Sequence, residues 1–74
     1  MSIINEVCNS MKKWGVDFQR FDYEVYVYTN NDTTAELNLL ASLVGYNPIL
    51  KFVDITNKER TYEINNEFYV IVMG

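Results

Sequence analysis

The stretch FDYEVYVYTN, Phe21 to Asn30, alternates so as to give a strand one dry side and one wet side. Successive strand residues point to opposite faces. Phe21, Tyr23, Val25 and Val27 therefore share one side, and Asp22, Glu24, Tyr26 and Tyr28 share the other. The first side reads as core. The second sets two carboxylates among two tyrosines, and what those rings face becomes the central question of the fold.

Working upstream, Ser2 to Trp14 reads as a helix. Ile3, Ile4, Val7, Met11 and Trp14 recur at spacings of three and four and stack on one face, with Cys8 beside them. Ser2 is a helix-starting cap, Glu6 suits the positive end of the dipole, and Lys12 and Lys13 suit the negative end. Gly15 supplies the stop. Trp14 is expected to plug the core between helix and sheet. Val16 and Phe18 are out of phase with Phe21, which predicts a strand over Asp17–Tyr28 that bends near Arg20 and Phe21.

Downstream, TNND breaks the alternation. A second helix is predicted over Thr33–Val44, with Thr33 and Glu36 at capping-box spacing and Leu37, Leu40, Ala41 and Val44 as its stripe. Leu39 and Leu43 broaden that stripe. Gly45 closes the helix, and Pro48 biases Asn47 to an extended backbone. Three strands follow, Ile49–Thr56, Arg60–Ile64 and Glu67–Met73, with Asn57-Lys58 and Asn65-Asn66 as two-residue turns. The order is α-β-α-β-β-β. Two helices cover only one face of a sheet, so residues 1–74 are expected to form a single α+β domain. It is a two-layer sandwich: a four-stranded, mostly antiparallel sheet with both helices on one side.

Two-residue turns would pair Tyr62 with Tyr69 and Val53 with Tyr62. That assigns Ile49, Val53, Ile55, Tyr62, Ile64, Tyr69, Ile71 and Met73 to the core face. Leu50, Phe52, Asp54, Thr61, Glu63, Phe68, Val70 and Val72 go to the other. A turn longer by one residue would exchange the sets. On the uncovered face, Glu24, Tyr26, Tyr28, Phe52, Glu63 and Phe68 are predicted to form an aromatic and acidic platform that binds a partner. Tyrosine suits such a site, because it offers a rigid apolar body with a polar tip.

Composition narrows the chemistry. The chain has 74 residues, a net charge of −4, no histidine and one cysteine. A domain this short buries only about 60% of the surface its unfolded chain exposes, so good packing or self-association must supplement the core. Without histidine there is no Ser-His-Asp or Cys-His site and no HExxH zinc motif. One cysteine makes no CxxC pair, and the three glycines make no phosphate loop. Asp22 and Glu24, two apart, lack a third metal ligand and read as a solvated or partner-facing pair. Cys8, one turn from Lys12, reads as a buried small hydrophobe. Neither metal, cofactor nor catalysis is expected.

The acidic balance argues against nucleic-acid binding, and the apolar stretches are far short of the ~20 residues that cross a bilayer. A lone cysteine and an N-terminus without a basic leader fit a reducing, cytoplasmic setting. The nine asparagines and six tyrosines suggest an A/T-rich phage or mobile-element source, which would place the protein in a host cytoplasm. In type, though by no identifying motif, the chain resembles small phage-encoded inhibitors of host proteins. The leading expectation is a non-enzymatic module that occupies a protein partner with a basic surface. The alternative is a homo-oligomer that self-associates through its sheet.

Overall fold

The computed structural model describes residues 2–30 and 32–74; Asn31, in the TNND breaker, lies outside them. Helix α1 spans Ile3–Lys13 and is capped by Ser2, whose Oγ accepts from the Asn5 N–H. Trp14 ends it, and Gly15 takes the left-handed backbone (φ 70°) that the sequence predicts for the stop. The strands are β1 (Asp17–Arg20), β2 (Glu24–Tyr28), β3 (Pro48–Asp54), β4 (Glu59–Ile64) and β5 (Phe68–Met73). Helix α2 spans Thr33–Leu43 and runs into a 3₁₀ turn, Val44–Tyr46.

The α+β class holds, but the sheet has five strands and is mixed. Its order is β1-β2-β5-β4-β3, with β2 and β5 parallel and the other neighbours antiparallel. The expected single bent strand is two strands folded into a hairpin. Phe18 pairs with Val27 and Arg20 with Val25, and the Phe21 N–H donates to the Glu24 carbonyl across the turn. The phase slip between Phe18 and Phe21 is thus a reversal of the chain. Strand β5 takes the centre because FYVIVM is apolar on both faces, as a strand flanked on both sides needs to be. The Thr29 N–H donates to the Met73 carbonyl and the Tyr69 N–H to the Tyr23 carbonyl, which fastens β2 to β5 at both ends.

The core is one cluster. Ile4, Val7, Cys8 and Met11 of α1 and Leu39 and Leu43 of α2 meet Val25, Val27, Ile64, Phe68, Val70 and Val72. All six sheet residues lie on one face, so both helices cover that face, and Val25 and Val27 point inward as the alternation requires.

Several local expectations need correction. The β4–β5 turn has three residues, Asn65-Asn66-Glu67, and sets Ile64 opposite Phe68 and Tyr62 opposite Val70. Both asparagines hold positive φ, which their short polar side chains tolerate. The extra residue inverts β5: Phe68, Val70 and Val72 enter the core, while Tyr69, Ile71 and Met73 face outward. A bulge between Leu50 and Phe52 likewise exchanges Leu50 and Ile49. Loop Ile55–Lys58 has four residues, with only Lys58 left-handed.

At the start of α2 the cap is Asp32, not Thr33; its Oδ1 accepts from the Thr34 and Ala35 N–H groups. Glu36, freed from a capping box, reaches Arg60. The buried stripe of α2 is Leu39 and Leu43, and Leu37, Ala41 and Val44 are exposed. Asn47 is left-handed (φ 52°) rather than extended. Trp14 is 56% exposed and does not plug the core; it is the C-cap residue, just past the last turn of α1, whose final buried side chain is Met11.

Candidate interaction face

Because Val25 and Val27 are held under the helices, Glu24, Tyr26 and Tyr28 stand on the far face of β2. Register then fixes their neighbours. One row across the sheet reads Gln19, Tyr26, Ile71, Thr61, Phe52. A second reads Asp17, Tyr28, Met73, Glu59, Asp54, and a third runs Glu24, Tyr69, Glu63, Ile49. The helices leave this whole face open.

Five of the six residues predicted for the platform come together here: Glu24, Tyr26, Tyr28, Phe52 and Glu63. Phe68 does not. It is 3% exposed in the core, for the reason already given: the third turn residue rotates β5 by one position. Its place is taken by Tyr69, 40% exposed, which lies between Glu24 and Glu63. The sequence reading overlooked Tyr69 and Ile71 because it assumed a two-residue turn. The unbroken apolar run of β5 was the available signal that this strand is central and has residues to spare for both faces. Asp22 lies in the β1–β2 turn and does not share a strand face with Glu24, which separates the only carboxylate pair that suggested acid–base chemistry.

The face is held in place from within. The Tyr26 hydroxyl donates to Glu24 Oε2 at 3.3 Å, and the Phe21 ring meets the Tyr26 ring edge-on at 5.5 Å. The Tyr28 hydroxyl donates to Gln19 Oε1 at 3.4 Å. The charge of Glu24 beside it raises the Tyr26 pKa, with slight burial and the hydrogen bond acting in the same direction. Tyr26 is therefore a neutral donor at physiological pH. Lys51 Nζ lies 3.8 Å from Glu63 Oε1 and is the cation on this face. Ile71 is only 6% exposed although it faces outward, since it sits between Tyr26 and Thr61 on the central strand. The face thus has a dry centre, aromatic shoulders and a carboxylate excess from Glu24, Asp54, Glu59 and Glu63.

Two other features bear on chemistry. Cys8 is buried, as predicted; burial raises its thiol pKa, and Arg20 and Lys12 only partly oppose the shift, so it is not an activated nucleophile. A shallow cleft of about 360 Å³ lies over Thr33, Glu36, Val53, Ile55 and Arg60. Its Arg60 and Glu36 are engaged with each other through two hydrogen bonds of 2.7 and 3.1 Å, and Asp54, Lys58 and Glu59 complete its charged rim. No helix among the described residues is long and apolar enough to cross a membrane. Comparisons with protein-family models, with curated proteins and with solved structures find no match to this chain.

Proposed function

We propose that the protein is a non-enzymatic binding module whose open sheet face engages a protein partner with a basic surface. The observation that carries this reading is the setting of aromatic rings beside carboxylates on one uncovered face. Tyr28, Phe52 and Tyr69, exposed, and Tyr26, half-buried, stand beside Glu24, Glu59 and Asp54, which have no ion-pair partner among the described residues. Aromatic faces attract Lys and Arg heads, and the carboxylates steer and pair with them at the rim. Aromatic enrichment with an apolar centre is also the anatomy of protein interfaces. In keeping with its composition, we propose a phage or mobile-element origin, a host-cell target and a cytoplasmic site of action, with inhibition by occupancy.

The test compares variants. The immobilised protein is used to capture partners from a host lysate, and Tyr26→Ala with Phe52→Ala should abolish capture while Leu37→Lys on the exposed side of α2 should not. With the captured partner in hand, Glu24→Lys with Glu63→Lys should slow association about tenfold at low ionic strength, with a smaller effect at high salt. Association kinetics indifferent to both reversals, in a domain with unchanged far-UV circular dichroism, would sink the proposal.

A further inference from the structure

The two edges of the sheet are built differently. Strand β1 has four residues, and Asp17, Gln19 and Arg20 make it short and polar, which is how natural sheets discourage pairing. Strand β3 has seven residues; Pro48, Lys51 and the bulge give it some of the same protection, yet Ile49, Leu50, Phe52 and Val53 are all exposed along it. Ile55, just beyond its end, is 86% exposed. The helix layer does not reach this edge. Packed helices stand about 10 Å apart and strands about 4.8 Å, so two helices shelter about four strands. The Glu36–Arg60 pair ties α2 over β4, and β3 lies outside.

We propose that β3 docks against β3 of a second copy of the chain, antiparallel about a two-fold axis, to make one sheet continuous through both copies. The bulge is what selects a second copy as the occupant. It places Leu50 and Val53 on the helix side, opposite Tyr62 and Arg60, and Ile49, Phe52 and Asp54 on the open side, where Lys51 reaches Glu63. Faces match between copies when the axis passes at the Lys51–Phe52 step. Leu50 of each copy then lies opposite Val53 of the other, Lys51 opposite Phe52, and Ile49 opposite Asp54. The two Lys51 side chains flank the axis diagonally on the open side, each held 3.8 Å from Glu63 of its own copy, which offsets their like charge.

The five apolar side chains expose on the order of 500 Å² per copy, which caps the apolar area the pair can bury at about 1,000 Å², the low end for a specific interface and the range of a micromolar, reversible dimer. A two-fold contact closes at two copies, and the blunt β1 edges stop further growth. Tyr26, Tyr28 and Tyr69 lie away from this edge and stay free in both copies, while Phe52 borders both surfaces; the test therefore uses Val53 and Ile55, on which the basic-partner reading does not rest.

Sedimentation equilibrium of the full chain across the micromolar range is expected to show a monomer–dimer equilibrium. Ile55→Lys and Val53→Lys should each weaken it about tenfold or more while leaving far-UV circular dichroism unchanged. Ile55 has almost no contacts to lose, so its variant folds whatever becomes of Val53→Lys. Leu37→Lys and Tyr26→Ala should leave the equilibrium as it is. A wild-type chain that stays monomeric throughout overturns the proposal. So does a dimer untouched by both β3 variants, or one that Leu37→Lys or Tyr26→Ala dissociates equally well.

Discussion

Phe68 and Tyr69 are adjacent, and replacing each by alanine reads the register of β5 directly. Phe68 is 3% exposed in the helix-covered core, and truncating a buried phenylalanine costs about 3–5 kcal/mol. Tyr69 lies on the open face at 40% exposure, and its truncation should cost about 1 kcal/mol. At roughly 0.05–0.15 kcal/mol per residue, a domain of this size has a total stability of about 4–11 kcal/mol. Phe68→Ala therefore removes from about a quarter to all of it, whereas Tyr69→Ala leaves most. Urea unfolding followed by far-UV circular dichroism, with linear extrapolation and similar m-values, gives the two differences. If Phe68→Ala is too unstable for a native baseline while Tyr69→Ala keeps one, the order of the two losses is already decided. A Tyr69→Ala loss equal to or larger than that of Phe68→Ala would mean that the turn holds two residues, and would put Tyr69 under the helices.

Three further outcomes follow from the local geometry. Asp32→Ala should cost about 1 kcal/mol by removing the α2 cap, and Thr33→Ala should cost only a few tenths; thermal melts of the pair decide which residue caps the helix. Arg60 grips Glu36 with two partly buried hydrogen bonds, so a double-mutant cycle of Glu36→Gln and Arg60→Gln should give a coupling of about 1–2 kcal/mol, and a value near zero would mean the pair is solvated. Burial, and next to it the charge of Glu36, raises the Tyr62 pKa above its ordinary 10.0 in the folded chain, with Arg60 opposing. The unfolded chain thus ionises first. The contribution of Tyr62 to stability is intact below pH 10.0 and is lost as pH rises through the folded value, so Tyr62→Phe should flatten that alkaline decline in urea midpoints.

Much of the molecule is legible from local chemistry. Ser2, the spacing of Ile4, Val7 and Met11, and Gly15 define α1 without reference to anything distant, because a helix closes its hydrogen bonds within itself. The alternation around Val25 and Val27 likewise assigns the two faces of β2, since adjacent residues differ sharply in polarity. Asn65 and Asn66 mark a turn because few other residues accept their backbone. Five of the six platform residues inherit their correct placement from such patterns.

Strand partnership is of another kind. Every strand hydrogen bond is shared with a segment elsewhere in the chain, and one residue more in a turn or a bulge reverses all the side chains beyond it. In FYVIVM both alternating sets are apolar, so nothing within the strand says whether Phe68 or Tyr69 should be dry. The third residue at Asn65-Asn66-Glu67 settles that, together with the parallel seat beside β2 and the helices overhead. The hairpin hidden at Phe21–Tyr23 has the same origin, for a bend and a reversal look alike until Phe18 finds Val27. Local sequence set the elements and their polarity; the competition among distant strands to bury their apolar sides chose the neighbours, and with them which rings were left facing out.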